Sequence, residues 1–337
     1  MGSDLVKMVK FLWGHSILQI FIVMGFTLIM VPFLTWVERK VIGHMQVRLG
    51  PMRVGFHGIL QGIADGLKLL LKENIVPSGA DRPIFILAPI LSLVPALIAF
   101  SVIPFDTWFY ITDINIAVLY ILAVSSVGTY GIILAGWSSN SKYALLGALR
   151  SAAQVISYEL AIGMALVGPL MLAGTFSLVG ITQAQSRHWF IAPQIVAFFV
   201  YYVSMLAETN RSPFDLPEAE TELVAGFHVE YSGMRFAYFF IAEYANMMLV
   251  CSMATVVFLG GWNPPFQAWE SMHILKIIPG VFWFFGKMMM LLVSFIWVRS
   301  TFPRFRYDQL MRLGWKILIP LAIANIVVTG IVLAIIG

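Results

Sequence analysis

Cysteine is almost missing from this chain of 337 residues: Cys251 stands alone, inside an apolar run. One thiol excludes a disulfide framework and cannot supply the thiolates of an iron–sulfur cluster. Charge is scarce too. Asp, Glu, Lys and Arg make up 11% of the residues, against 60% hydrophobic, whereas a soluble domain carries roughly 25% charged residues. No GxGxxG, Walker A or CxxC pattern occurs, so the chain has no visible means of binding nicotinamide or flavin. His44 and His57 lie in an arginine-rich segment, which excludes a bis-histidine haem inside a bundle. His15, His188, His228 and His273 form no metal-ligand spacing, so no metal is assigned. There is no internal repeat, low-complexity tract or soluble domain. No small-residue cleavage pattern follows the apolar stretch after Lys10, which is expected to stay as an anchor.

What remains is apolar sequence in long runs. The charges cluster between runs near or above the roughly 18 residues that mark a spanning helix. The expected fold is all-α: a polytopic integral membrane protein, 1–337 as a single transmembrane domain, with about eight spans at 17–37, 84–103, 115–137, 146–172, 190–207, 236–259, 275–298 and 314–336. Proline inside several spans predicts kinks. Basic residues are lopsided. Arg39, Lys40, Arg48, Arg53, Lys68, Lys72, Arg82, Lys142, Arg150, Arg211, Arg235, Arg299, Arg304, Arg306, Arg312 and Lys316 fall on one set of loops, and Lys7, Lys10, Arg187 and Lys276 on the other. The first set is expected in the cytoplasm, which puts both termini in the periplasm. The net charge of +4 is explained by these loops and not by nucleic-acid binding.

Residues 58–73 are a separate case. Ile59, Leu60, Ile63, Leu67, Leu70 and Leu71 recur at helical spacing, with Gln61, Asp65, Lys68 and Lys72 on the other face. A helix of this length spans only about 24 Å and is too charged to cross. It is expected to lie in the cytoplasmic interface, the alternative being an ordinary loop helix. The long loops all fall on the cytoplasmic side, which points to a partner there.

Ionisable groups inside spans cost several kcal/mol unless paired or hydrated. Glu159, Glu243 and Lys287 lie in spans, and Glu208 at the cytoplasmic end of one. Helical rise places Glu243 about 10 Å deep and Glu159 and Lys287 about 18 Å deep, a series running from the surface to the centre. Buried carboxylates titrate nearer neutral pH and a lysine could switch them, which is the physics of a proton relay. The alternative is a Glu159–Lys287 ion pair that only fixes packing. The acidic loop 208–235 carries Glu208, Asp215, Glu218, Glu220, Glu222 and Glu230, interleaved with Phe214, Leu216, Leu223, Val224, Phe227 and Val229. A solvated acidic run has no use for those apolar residues, so a partly buried proton funnel is the favoured reading.

Three segments resemble a known family: WVERKVIGHMQVRLGPMRVG after the first span, AETNRSPFDLPEAETELVAGFHVEYSG, and WVRSTFPRFRYDQLMRLGWK before the last. In order and side they are similar to the H subunit of bacterial NADH:quinone oxidoreductase (respiratory complex I), counterpart of mitochondrial NADH dehydrogenase subunit 1. The likeness runs from about residue 20 to the C-terminus.

The resemblance implies a subunit of the bacterial inner membrane that docks the membrane arm on the hydrophilic arm and forms most of a quinone chamber. Flavin and iron–sulfur clusters would sit on partner subunits, and small membrane subunits and antiporter-like subunits would be neighbours. By position, Arg39, Arg53, Asp65 and Phe227 match the quinone route. Glu159, Glu208, Glu243, Asp215, Glu218, Glu220 and Glu222 match the acidic channel. Arg299 and Arg306 match the last cytoplasmic loop without a clear role. A homologous subunit of a membrane-bound hydrogenase or ferredoxin-linked complex, or a stand-alone cation/proton antiporter, are the alternatives.

Overall fold

The computed structural model of the chain describes residues 2–215, 226–264 and 278–336. Every regular element among them is helical: α1 (Gly2–Met45), α2 (Gln61–Leu71), α3 (Arg82–Ala99), α4 (Ala117–Ser138), α5 (Lys142–Ala173), α6 (Leu178–Ala184), α7 (Ile195–Glu208), α8 (Gly233–Phe258), α9 (Gly280–Thr301), α10 (Tyr307–Leu313) and α11 (Ile319–Ile336). A π-helical turn, Gly314–Leu318, joins α10 to α11.

Seven helical stretches among these residues are long and apolar enough to cross a bilayer: Ile17–Met45, Arg82–Val102, Ala117–Ser138, Lys142–Ala173, Gly233–Phe258, Gly280–Thr301 and Tyr307–Ile335. The helix expected at 190–207 is shorter. Residues 190–194, which include Pro193, form turns, and α7 has 14 residues, about 21 Å of rise against a hydrocarbon core of about 30 Å. The first helix is longer than expected, running from Gly2 to Met45.

Apolar side chains point both ways, as they do where lipid is the outer solvent. Phe21, Ile29, Leu119, Trp297 and Ile331 are exposed on the outside. The packed centre belongs to α5 and α8. From Met247 to Phe258 every residue of α8 is buried, whereas α11 exposes most of its length.

Contacts between distant segments sort the loops onto two ends of the bundle. At one end Asp81 N–H donates to Ser138 O (3.1 Å), Phe305 N–H to Pro213 O (3.0 Å) and Trp36 Nε1 to His57 O (3.1 Å). Ser232 Oγ donates to Glu73 O at 2.9 Å. The arginine-rich loops therefore share this end. At the other end Ser177 Oγ donates to Asp113 Oδ1 at 2.6 Å, and Ile191 N–H donates to Phe258 O at 3.0 Å.

The expected amphipathic helix 58–73 forms as α2. None of its residues is buried, and Ile63, Leu67, Leu70 and Leu71 face outward. Its polar side turns inward: Gln61 Nε2 donates to Asp65 Oδ1 at 3.2 Å, and Arg39 of α1 pairs with Asp65 at 2.7 Å. Gly62 allows this approach, since a Cβ there would sit 2.7 Å from Pro32 O. An apolar face turned away from the protein is the reverse of a soluble surface helix and suits a membrane interface.

Candidate functional site: a carboxylate cavity wired to a buried ion-pair cluster

Three of the singled-out carboxylates meet in one place. Glu159 of α5, Glu208 at the end of α7 and Glu243 of α8 line a cavity of about 150 Å³, together with Ser92, Thr129, Asn210, Phe227, His228 and Asn246. Glu159 is held by hydroxyls of α4: Ser126 Oγ donates at 3.1 Å and Thr129 Oγ1 at 3.5 Å. Ser92 Oγ and Asn210 Oδ1 are buried there without a protein hydrogen-bond partner among the described residues. Polar, unpartnered atoms around a space of this size suit water, each molecule of which needs about 10–15 Å³ of such space and two to four partners.

One wall of the cavity is the turn Gly226–His228, through Phe227 and His228. Phe227 packs edge-on against Phe239 with centroids 5.3 Å apart, and His228 against Phe236 at 5.3 Å. Burial pulls the His228 imidazole down to about 4, so the ring is neutral at pH 7. The turn touches α5 backbone to backbone. A Cβ at Gly147 would lie 2.7 Å from Gly226 Cα and 3.0 Å from Phe227 N. Gly147→Ala is therefore expected to push the turn off the cavity wall at a cost of about 1–3 kcal/mol. The check is faster hydrogen exchange of residues 226–231 in the assembled protein, and unchanged exchange would contradict it.

Beside the cavity lies a buried cluster that sequence reasoning missed. Glu38 of α1 accepts from Tyr244 Oη at 2.5 Å, pairs with Arg211 Nη1 at 3.3 Å and also pairs with Arg299 of α9. Arg211 turns its Nε to Glu243 at 2.7 Å and stacks over the Tyr244 ring at 4.4 Å. Arg211 thus joins the cavity to Glu38. Asp215 is buried and pairs with Arg304 at 3.1 Å. Burial pushes its carboxyl up, and Arg304, Arg299 and Arg211 oppose that. Gln154 of α5 sets the register of this loop, donating to Ala207 O at 2.7 Å and Phe214 O at 2.8 Å. In the sequence Arg211 reads as one more basic residue of a cytoplasmic loop, and Glu38 has no role of its own. The one available signal was that both flank apolar spans.

Other expectations land elsewhere. Lys287, expected beside the relay carboxylates, does not form the alternative ion pair with Glu159 either. Its ammonium lies against the carbonyls of Leu259, Gly261 and Asn263, because α9 starts at Gly280 and puts Lys287 only about 10 Å from that end. Phe227 lines the carboxylate cavity, apart from Arg39 and Asp65, which pair with each other. Arg53 is exposed on the loop after α1. Glu218, Glu220 and Glu222 lie outside the described residues. Among the described residues no group of three or more His, Cys, Asp or Glu could hold a metal ion.

Bundle, cavity and ion-pair cluster define a polytopic membrane protein whose interior is built to hold charge. A family model described as NADH dehydrogenase matches residues 18–330. The second of the H subunits of NADH-quinone oxidoreductase in Geobacter metallireducens is 50% identical over 355 aligned positions, covering 99% of this chain and 100% of the relative. The first of those in Geobacter sulfurreducens is also 50% identical, with 99% of each covered. The chain belongs to the NADH dehydrogenase family, in the branch formed by the H subunits of NADH-quinone oxidoreductase.

Proposed function

We propose that the chain is a membrane subunit of a proton-translocating NADH:quinone oxidoreductase of the bacterial inner membrane, and that it couples quinone reduction to proton movement. The observation that carries this reading is the cavity into which α5, α7 and α8 each project a carboxylate, with Arg211 linking it to Glu38. Carboxylates a few water molecules apart can hand protons along, and three acids in one bilayer-embedded space exceed what packing requires.

The arginine-rich end faces the cytoplasm, with eight spans and both termini periplasmic. There the loop after α1, with Arg53 and the Arg39–Asp65 pair, forms one wall of the quinone route, and α2 lies in the interface beside it. Subunits of the hydrophilic arm complete the chamber. They also carry flavin and iron–sulfur clusters, since Cys251 is this chain's only thiol and is buried. Asp215 and the acidic segment that follows it respond to charge arriving with quinone. The Glu38–Arg211–Glu243 chain passes the change to Glu208 and Glu159, and onward to small and antiporter-like membrane subunits.

Extraction of the tagged chain in mild detergent tests this, with mass spectrometry of what co-purifies. Flavin-, iron–sulfur- and antiporter-like subunits together are expected. Nickel-site hydrogenase subunits, or a stable chain purifying alone, would overturn it.

A further inference from the structure

The carbons of Lys287 cross a packed interior to place its ammonium at the end of α8 opposite Glu38. Nζ donates to Leu259 O at 2.7 Å, Gly261 O at 2.9 Å and Asn263 O at 2.5 Å. The Trp189 ring covers it, 4.3 Å from Nζ to centroid. An ammonium has three N–H donors, and all three are taken by backbone carbonyls, with an indole face on the remaining side.

The loop that supplies these carbonyls is shaped for the purpose. Gly260 and Gly261 have φ +72° and +52°, a left-handed path that turns successive carbonyls inward. Neither position has room for a side chain. A Cβ on Gly260 would lie 2.7 Å from the Trp189 ring, and one on Gly261 2.8 Å from Thr182 Cγ2. The shell outside is tied down as well. Gly261 N–H donates to Thr255 O at 2.8 Å, Asn263 Nδ2 to Thr182 O at 2.8 Å and Gln185 Nε2 to Val256 O at 2.7 Å. Converging carbonyl dipoles in a dry site are how proteins replace the hydration shell of a monovalent cation. They also lie at the negative end of the α8 dipole.

We propose that the carbonyls of Leu259, Gly261 and Asn263 form a monovalent-cation cage whose resident cation is the tethered ammonium of Lys287. Lys287 is then a positioning residue. It holds the far end of α8, the helix that carries Glu243, and moves no proton. With the side chain shortened, the cage takes a free cation small enough to fit: potassium, ammonium or methylammonium. This stands independently of the oxidoreductase reading, because it concerns only the closure of α8.

The test is K287A in the assembled complex, read by hydrogen exchange of residues 255–263 at one ionic strength in choline, potassium or methylammonium chloride. Exchange in choline is expected to rise about tenfold or more over the parent, since three charge-assisted hydrogen bonds are gone. Methylammonium or potassium should restore protection, and the parent should not respond to the salt. Raised exchange that no small cation reverses would reduce the lysine to packing and overturn the cage. Parent-like exchange with lost proton pumping would return Lys287 to the relay and also overturn it. If K287A does not accumulate, Gly261→Ala keeps the lysine and displaces one carbonyl. Raised exchange of the same residues supports the cage, and unchanged exchange overturns it.

Discussion

Replacement of Arg211 by methionine is expected to destabilise the protein by about 3–5 kcal/mol, the cost of removing one partner from a buried ion pair and leaving the other charged. Two carboxylates lose a partner in this case, and one of them is stranded. Glu243 loses its 2.7 Å contact, and Glu38 keeps Arg299 and Tyr244. Much of the loss should therefore come from Glu243. Arg211→Met combined with Glu243→Gln should recover part of it, because the stranded charge is then gone, whereas Arg211→Met with Glu38→Gln should recover less. A double-mutant cycle on the thermal midpoint of the purified complex isolates the two couplings. Equal recovery by both second substitutions would show that Arg211 does not favour the cavity side. Arg211→Lys is expected to fall between, since one ammonium cannot present a planar fork to both carboxylates and stack on Tyr244 as well.

Glu159→Gln and Glu243→Gln should each leave the complex assembled while coupled quinone reduction falls by about 10²-fold or more, the range spanned when a proton-transferring group is removed. Ser126 and Thr129 donate to different oxygens of Glu159; the amide oxygen can keep one of these bonds and its NH2 can donate to the other hydroxyl, but the amide cannot release a proton. Ser126→Ala, which removes only a 3.1 Å donor, should have a much smaller effect. The measurement is quinone reduction together with proton uptake in sealed vesicles containing the whole complex. Normal pumping in both glutamine variants would remove these residues from the relay. Loss in Glu243→Gln alone would shorten the path to the α7–α8 side of the cavity.

Much of the fold was legible in the residues because a bilayer punishes polarity one residue at a time. Hydropathy and length located the spans, and basic residues assigned their loops to one end. The period of Ile63, Leu67, Leu70 and Leu71 marked α2. Failures came where a boundary depends on neighbours. Residues 190–194 read as span but form turns, and α1 runs past Val37 to Met45 because its last turns pack beside α2 and α9. The carboxylates were visible as charges in apolar surroundings. Their companions were not, since Ser92, Ser126 and Thr129 look like any other residues of a helix.

The sequence by itself determined that this is an all-helical membrane protein, which end carries its arginine-rich loops, and that Glu159, Glu208 and Glu243 are too costly to bury without a purpose. Tertiary structure alone decided who pairs with whom. It drew Glu38 to Arg211 and to Arg299 across separations of 173 and 261 residues. It set Glu243 against Arg211, and it placed Lys287, read in the sequence as a switch beside the carboxylates, among the carbonyls of Leu259, Gly261 and Asn263. The physical reason is that burial cost is a property of each residue in its own helix. Pairing depends on how helices rotate and where their ends meet, which no local pattern encodes.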